Sequence, residues 1–261
     1  MAFQSQMIRT FCFLSLLLNV NALLAADSSH VAVASNMSHV ISEILAQYKP
    51  ATRINLSFGS SGNFARQILQ GAPYKIFISA DKKYVDMLVE NGYGIDSSAE
   101  FSRGRIGIFI PNDSTLKNHT SLEQVFKSLY HGRYQRISIA NPEHAPFGRA
   151  AEQALQNAGL WVIQRNKLLV GENAAQAMQF ALSGGVDLSI IPSSFARLPS
   201  IIKKGKFYLI PESWHEPIQQ VIVLFNGANE STRQFYHYLL SDEAKIIIRK
   251  YGYETETGSQ Q

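Results

Sequence analysis

Near its N-terminus the chain reads His30-Val31-Ala32-Val33-Ala34-Ser35-Asn36, an apolar segment of strand length followed directly by small polar residues. Apolar residues then recur at the three- and four-residue spacing of an amphipathic helix, at Val40, Ile41, Ile44, Leu45 and Tyr48. A strand, a short turn and a helix in this order form a βα unit. This unit predicts an α/β fold.

The βα pattern continues along the chain. Further strands are predicted at Ile54 to Phe58, Ile76 to Ile78, Ile106 to Ile110, Ile137 to Ala140, Leu188 to Ile191, Phe207 to Ile210 and Val221 to Phe225. Apolar stripes predict helices between most of these strands. We expect two lobes, and two closing helices that carry Phe235 and Ile247 are expected to return to the first of them. Because the first lobe begins as repeated βα units, we expect it to hold a parallel sheet with helices on both faces.

The first 26 residues predict a cleaved secretory signal peptide. Arg9 precedes an apolar run from Phe11 to Val20, which is too short to span a membrane, and the small residues Ala25 and Ala26 follow. The only cysteine, Cys12, lies in this run, so the mature chain is expected to contain neither disulfides nor thiolate sites. The mature protein is therefore expected to be soluble and periplasmic.

Composition argues against several other classes of protein. The 261 residues are 46% hydrophobic and 17% charged, which allows one large core or two modest ones. The net charge of +4 is not concentrated, because the densest basic run, Lys203 to Lys206, is short; we expect no nucleic-acid binding. The seven histidines form no His-x-x-x-His pair and lack cysteine partners, so we expect no zinc site and no cofactor.

Four turns of small or hydroxyl residues each lead into a predicted helix. They are Ala34-Ser35-Asn36, Gly59-Ser60-Ser61-Gly62, Ala145-Pro146-Phe147-Gly148 and Gly171-Glu172-Asn173-Ala174. Unpaired N–H groups at a helix start carry a partial positive charge, so such turns can hold an anion without lysine or arginine. Each turn taken alone is better explained as an ordinary N-cap, and it is the four together that favour a ligand site.

An enzymatic alternative is a secreted hydrolase that uses Ser60 or Ser61 as its nucleophile. The turn at 59–62 lacks the Gly-x-Ser-x-Gly spacing of a nucleophile elbow, and the sequence ties no histidine or aspartate to it. We therefore expect a binding protein rather than an enzyme.

Longer motifs resemble the periplasmic molybdate-binding proteins of the molybdate ABC transporter. They are Ala34-Ser35-Asn36, Ser57 to Ile68, Gly71 to Pro73, Phe77 to Asp81, Asn141 to Gly148, Phe235 to Leu239 and Tyr251 to Tyr253. The resemblance covers essentially the whole mature chain. It implies a type II periplasmic-binding-protein fold, in which two α/β lobes joined by two crossover strands hold an oxyanion between them.

The resemblance also implies which residues contact the oxyanion. Ser35 and Ser61 match serines that bind through hydroxyl and N–H groups. Phe147 matches a position that donates only its backbone N–H, and Ala174 is aligned with another. Molybdenum bound in the oxyanion is then the only metal expected.

Pro192 departs from the family, which places a tyrosine hydroxyl there, because proline can donate no hydrogen bond. Ser193, Ser194 or a water molecule takes over that contact, or the site makes one contact fewer. Asn36 and Ser60, in the turns described above, are additional candidates for oxyanion contacts.

Serine hydroxyls and N–H groups suit an oxyanion that carries no proton, so molybdate or tungstate is favoured over phosphate. Sulfate, phosphate or a small organic anion are the alternatives within the binding class. We expect a monomer that closes on its ligand and then docks on the membrane permease of an ABC importer. The predicted hinges lie near Ser102 to Ile106 and Ile210 to Gln219, and the predicted parts of the mature chain are lobe I (27–104 plus 216–253), lobe II (105–215) and a flexible tail (254–261).

Overall fold

Ten strands and ten helices are present in the computed structural model, which describes residues 29–49 and 53–255. The strands are β1 Ser29–Ala34, β2 Ile54–Gly59, β3 Tyr74–Ser79, β4 Ile95–Gly104, β5 Ile106–Pro111, β6 Ile137–Ala140, β7 Leu168–Gly171, β8 Leu188–Pro192, β9 Gly205–Leu209 and β10 Ile218–Phe225. The helices are α1 Ser38–Tyr48, α2 Ser61–Leu69, α3 Lys82–Glu90, α4 Leu122–Tyr130, α5 Pro146–Asn157, α6 Trp161–Gln164, α7 Ala174–Leu182, α8 Pro199–Ile202, α9 Glu230–Leu239 and α10 Asp242–Lys250. Single 3-10 turns lie at Ser35–Met37, Arg165–Lys167, Phe195–Arg197 and Glu212–Trp214.

The strands form two five-stranded sheets, one in each lobe. The first has the order β2-β1-β3-β10-β4 and the second the order β7-β6-β8-β5-β9. The chain crosses from the first sheet to the second between β4 and β5, and it returns between β9 and β10. This is the two-lobed α/β architecture that the resemblance implies.

The expectation of a parallel first sheet is wrong for one side of that sheet. Strands β1, β2 and β3 are parallel, but β10 runs antiparallel to both β3 and β4. The direction of β10 follows from its return out of the second lobe. An apolar run such as Val221 to Phe225 reads the same in either direction, so periodicity cannot reveal this.

Two strands escape the sequence patterns. In β4 most residues are polar, and every second residue from Asp96 to Glu100 is exposed, because the strand lies at the edge of its sheet. Strand β7 is also an edge strand and has only four residues. Short or polar edge strands bury little apolar surface and therefore leave a weak signal.

Each lobe has its own apolar core. In the first lobe, Val31 and Ile78 of the sheet pack with Phe235 and Ile248 of the closing helices α9 and α10, so these helices do return to the first sheet. The core of the second lobe also reaches Ala34 and Ala80, which lie at the ends of strands of the first lobe. The two lobes therefore touch where the strands of the first sheet end.

The ends of the chain are only partly described. The predicted signal peptide lies outside the described residues, as do residues 256–261 of the predicted tail. Glu254, the first residue of that tail, exchanges two backbone hydrogen bonds with Arg103 (2.8 and 3.1 Å). Within residues 29–49 and 53–255, no helix combines the length and the apolar character needed to cross a membrane.

We expect Gly148→Ala to destabilise the start of α5. A Cβ at this position would lie 2.3 Å from the carbonyl oxygen of Ala140, at the end of β6. Such overpacking costs about 1–3 kcal/mol, so thermal denaturation should show a midpoint lowered by about 2–12 °C. Asn157→Ala, at the exposed end of the same helix, is the control. Equal midpoints for the Gly148 variant and the unmodified protein would contradict this packing.

Candidate functional site

A small cavity of about 10 Å³ lies between the lobes. It is far smaller than the roughly 300–1,000 Å³ of pockets for drug-sized ligands. None of its lining side chains is ionisable. The lining residues come from all four predicted turns and from the end of β3: Ala34, Ser35, Asn36, Gly59, Ser60, Ser61, Ala80, Ala145, Pro146, Phe147, Asn173 and Ala174.

The two serines from the first lobe each have a hydroxyl proton to offer. Ser61 is fully buried at the start of α2, and its oxygen accepts a hydrogen bond from the N–H of Ala80 at 3.0 Å. Because Ser61 is the acceptor in that bond, its own proton remains available for a ligand. The buried hydroxyl of Ser35 forms no hydrogen bond with the described part of the chain.

The second lobe offers backbone donors at two helix starts. At α5, Pro146 has no N–H, no side chain caps the helix, and Gly148 donates to Ala145 (2.9 Å). At α7, the side chain of Asn173 caps the N–H groups of the two residues after Ala174. The N–H groups of Phe147 and Ala174 are therefore left without a partner among residues 29–49 and 53–255.

Ordinary N-capping explains only part of this arrangement. Asn173 is a true N-cap, as the capping explanation expects. Within the described residues, no side chain caps the helices that begin after Ser60 and Ala145 or the 3-10 turn at Ser35–Met37. At the helix after Ser60, a carbonyl oxygen of the second lobe accepts one of the N–H groups. Since buried N–H groups are nearly always satisfied, the free N–H groups at the other starts indicate that a hydrogen-bond acceptor binds beside them.

Three further candidates are placed differently. Asn36 lines the cavity, but its side-chain amide donates to Gln220 (3.0 Å) and Tyr253 (2.9 Å). Ser60 also lines the cavity, and its hydroxyl lies 2.9 Å from Nδ1 of His144. Ser193 is not a lining residue, and its N–H donates to the carbonyl oxygen of Arg105 (2.8 Å).

Contacts across the cleft hold the lobes together around the cavity. The carbonyl oxygen of His144 accepts from the N–H of Gly62 (2.9 Å), next to the contact between Ser60 and the His144 ring. Beside them, Arg149 of the second lobe pairs with Asp81 of the first. Burial lowers the pKa of Arg149. Because the ordinary pKa of arginine lies far above neutrality, the guanidinium nevertheless stays charged. The two lobes are therefore in direct contact beside the cavity.

Sequence reasoning misses the residues that connect the lobes. His144 lies inside the motif Asn141 to Gly148, and Arg149 directly follows it. Their partners Ser60 and Asp81 are more than 60 positions away in the chain. No local pattern reports such pairings, so only a three-dimensional structure can identify them.

The chain is similar to bacterial binding proteins over almost its whole described length. The family of bacterial extracellular solute-binding proteins matches residues 30–254. The chain belongs to this family. It is 32% identical to the molybdate-binding protein ModA of Rhodobacter capsulatus, over 89% of this chain and 90% of the relative. It is 30% identical to ModA of Escherichia coli (strain K12), over 89% of this chain and 91% of that one.

Among solved structures, the periplasmic molybdate-binding protein of Azotobacter vinelandii superposes with a TM-score of 0.78 at 25% identity. The match covers 88% of this chain and the whole of the other. This solute-binding protein therefore has the type II periplasmic-binding fold. Its relatives are binding proteins rather than enzymes.

The two site serines of this solute-binding protein should differ in their importance for folding. Ser61→Ala leaves the buried N–H of Ala80 without its partner, which costs about 1–3 kcal/mol. Ser35→Ala removes a hydroxyl without a partner in the described part of the chain, so it leaves no protein group unpaired and should cost less than Ser61→Ala. Urea denaturation of the ligand-free proteins measures both values. A larger loss in the Ser35 variant would show that the two serines have been assigned the wrong contacts.

Proposed function

We propose that the protein is an extracytoplasmic solute-binding protein that captures molybdate or tungstate between its lobes and delivers it to an ABC permease. The observation that carries this proposal is the uncharged cavity with four converging donors. These are the hydroxyls of Ser35 and Ser61 and the N–H groups of Phe147 and Ala174. Relatives named as molybdate-binding support the choice of ligand.

Donor chemistry favours an oxyanion that carries no proton. A protonated phosphate needs an acceptor in the site, yet no carboxylate lines the cavity. The side-chain oxygen of Asn173 already accepts two helix N–H groups, and the carbonyl oxygen of Asn36 already accepts hydroxyl protons. Sulfate also lacks a proton but is smaller, so donors arranged for molybdate would contact it at longer distances.

We further propose that binding closes the lobes. Residues 27–104 with 216–253 form one body and residues 105–215 the other, and the hinges lie near Ser102 to Ile106 and Ile210 to Gln219. The contacts between His144 and the start of α2 span the two bodies and support this motion. A signal peptide at residues 1–26 would deliver the chain to the periplasm. There the closed monomer presents to the permease a surface that the open form lacks.

The hydrolase alternative gains one observation, because His144 lies beside Ser60 and its Nε2 is 3.5 Å from Glu172. The same histidine, however, also joins the lobes through its main chain. We therefore propose that this cluster serves closure and that the protein is not an enzyme.

Isothermal titration of the ligand-free protein should give heat with molybdate and tungstate and little with sulfate or phosphate. Ser35→Ala should weaken molybdate binding about ten- to hundred-fold, since a hydrogen bond to an ionised oxygen contributes about 1.5–3 kcal/mol. Ser193→Ala is the matched control and should bind as the unmodified protein does, because Ser193 does not line the cavity.

Each rival predicts a different result. Equal affinity for phosphate and molybdate would refute the argument from protonation, and the absence of heat with all four anions would refute the proposed function. Covalent labelling of Ser60 or Ser61 by a serine-reactive phosphonate would favour the hydrolase.

Gly62→Ala should obstruct closure. An added Cβ would lie 2.8 Å from the Cβ and the carbonyl oxygen of His144 across the cleft, and 2.9 Å from the ring of Tyr84. With saturating molybdate, small-angle X-ray scattering should show a smaller radius of gyration for the unmodified protein and little change for the variant. Gly185→Ala, outside the cleft, is the control, and thermal denaturation checks that both variants fold. Full compaction of the Gly62 variant would contradict the closed geometry.

A further inference from the structure

A closed ring of hydrogen bonds lies behind the cavity. The amide of Asn36 donates to the hydroxyl oxygen of Tyr253 (2.9 Å), Tyr253 lies within donating distance of Ser194 Oγ (3.1 Å), and Ser194 donates to the carbonyl oxygen of Asn36 (3.2 Å). Each hydroxyl has a single proton, and this arrangement uses each proton once. Tyr253 also lies 2.8 Å from the Asn36 carbonyl oxygen, so its proton has a second acceptor on the same residue.

The ring holds one residue of the oxyanion site from both sides. Asn36 follows Ser35 in the 3-10 turn that lines the cavity. Its carbonyl oxygen and its side-chain amide are both engaged, and the amide also donates to Gln220 (3.0 Å). Rotation of the peptide that follows Asn36 would break the bonds to its carbonyl oxygen. The hydrogen-bond ring behind the cavity therefore fixes the orientation of the Ser35–Asn36 turn.

The same ring spans the two lobes. Tyr253 packs in the core of the first lobe, whereas Ser194 follows β8 of the second sheet. All three residues are buried, with 4% or less of their surface exposed. Burial raises the pKa of Tyr253, so its hydroxyl remains a proton donor at neutral pH. Opening the cleft would separate Ser194 from its partners, so the complete ring belongs to the closed form.

We propose that Tyr253 and Ser194 are positioning residues for oxyanion binding, which act through Asn36 to orient the Ser35–Asn36 turn and to hold the lobes closed. This inference rests on the proposed function. Neither hydroxyl is a lining group of the cavity, so both act through Asn36 rather than on the ligand.

Tyr253→Phe should weaken molybdate binding about two- to twelve-fold, which corresponds to the net 0.5–1.5 kcal/mol of one hydrogen bond at about 1.4 kcal/mol per tenfold. Stopped-flow measurement should show this loss as faster dissociation with an unchanged association rate, because the ring is complete only after closure. Tyr236→Phe is the matched control. It removes another buried hydroxyl of the same core, which bonds to Ser97 (3.1 Å), and should leave molybdate affinity unchanged.

Ser194→Ala tests the inference from the other lobe. It should raise the dissociation rate in the same way while leaving the unfolding midpoint of the ligand-free protein near that of the unmodified protein. The double variant with Tyr253→Phe should lose less affinity than the two single losses combined, because both disrupt one ring.

The outcomes separate this inference from the proposed function. If the unmodified protein binds molybdate and Tyr253→Phe binds equally well, or if Tyr236→Phe causes the same loss, the positioning role is overturned. A loss confined to the association rate would also overturn it. If the unmodified protein does not bind molybdate, the proposed function fails, and this inference fails with it.

Discussion

Backbone N–H groups that are buried at helix starts, without partners in the described part of the chain, are the constraint on which this structure depends. The N–H groups of Phe147 and Ala174 face the cavity, with two serine hydroxyls opposite. A buried donor that stays unpaired costs free energy comparable to a lost hydrogen bond. Because the donors come from both lobes, an acceptor placed between them would be contacted by both lobes at once.

This arrangement of donors would favour an oxyanion that carries no proton, although no charged side chain lines the cavity. Lysine or arginine would attract any anion, whereas backbone N–H groups can only donate and therefore favour a ligand whose oxygens accept. Charges are kept outside the cavity, as in the pair of Asp81 with Arg149 across the cleft. Both side chains are partly exposed, so their net contribution to stability is small. The ion pair instead contributes to the orientation of the two lobes relative to each other.

The pattern of apolar and polar residues predicts most of the strands and helices, and each feature that it misses has an identifiable physical reason. Largely apolar segments such as β1 and β6 are predicted almost to the residue, because most side chains of a buried strand are apolar. The polar edge strand β4 leaves no such pattern, and the pattern of β10 does not reveal its antiparallel direction. Pro192 pairs with Ile106 inside the second sheet, while the hydroxyl of the neighbouring Ser194 reaches Asn36 rather than the cavity.

What the sequence by itself determined is the set of turns, because small residues and serines at helix starts are local features, and all four turns can be read from the order of residues alone. The resemblance added an expectation of which atoms in those turns contact an oxyanion. Only the tertiary structure decided that the turns share one cavity, that Asn173 is a cap, and that Asn36 is held by Tyr253 and Ser194. The physical reason is that hydrogen bonds between residues far apart in the chain depend on how the elements pack together, whereas periodicity reports only which face of each element is buried.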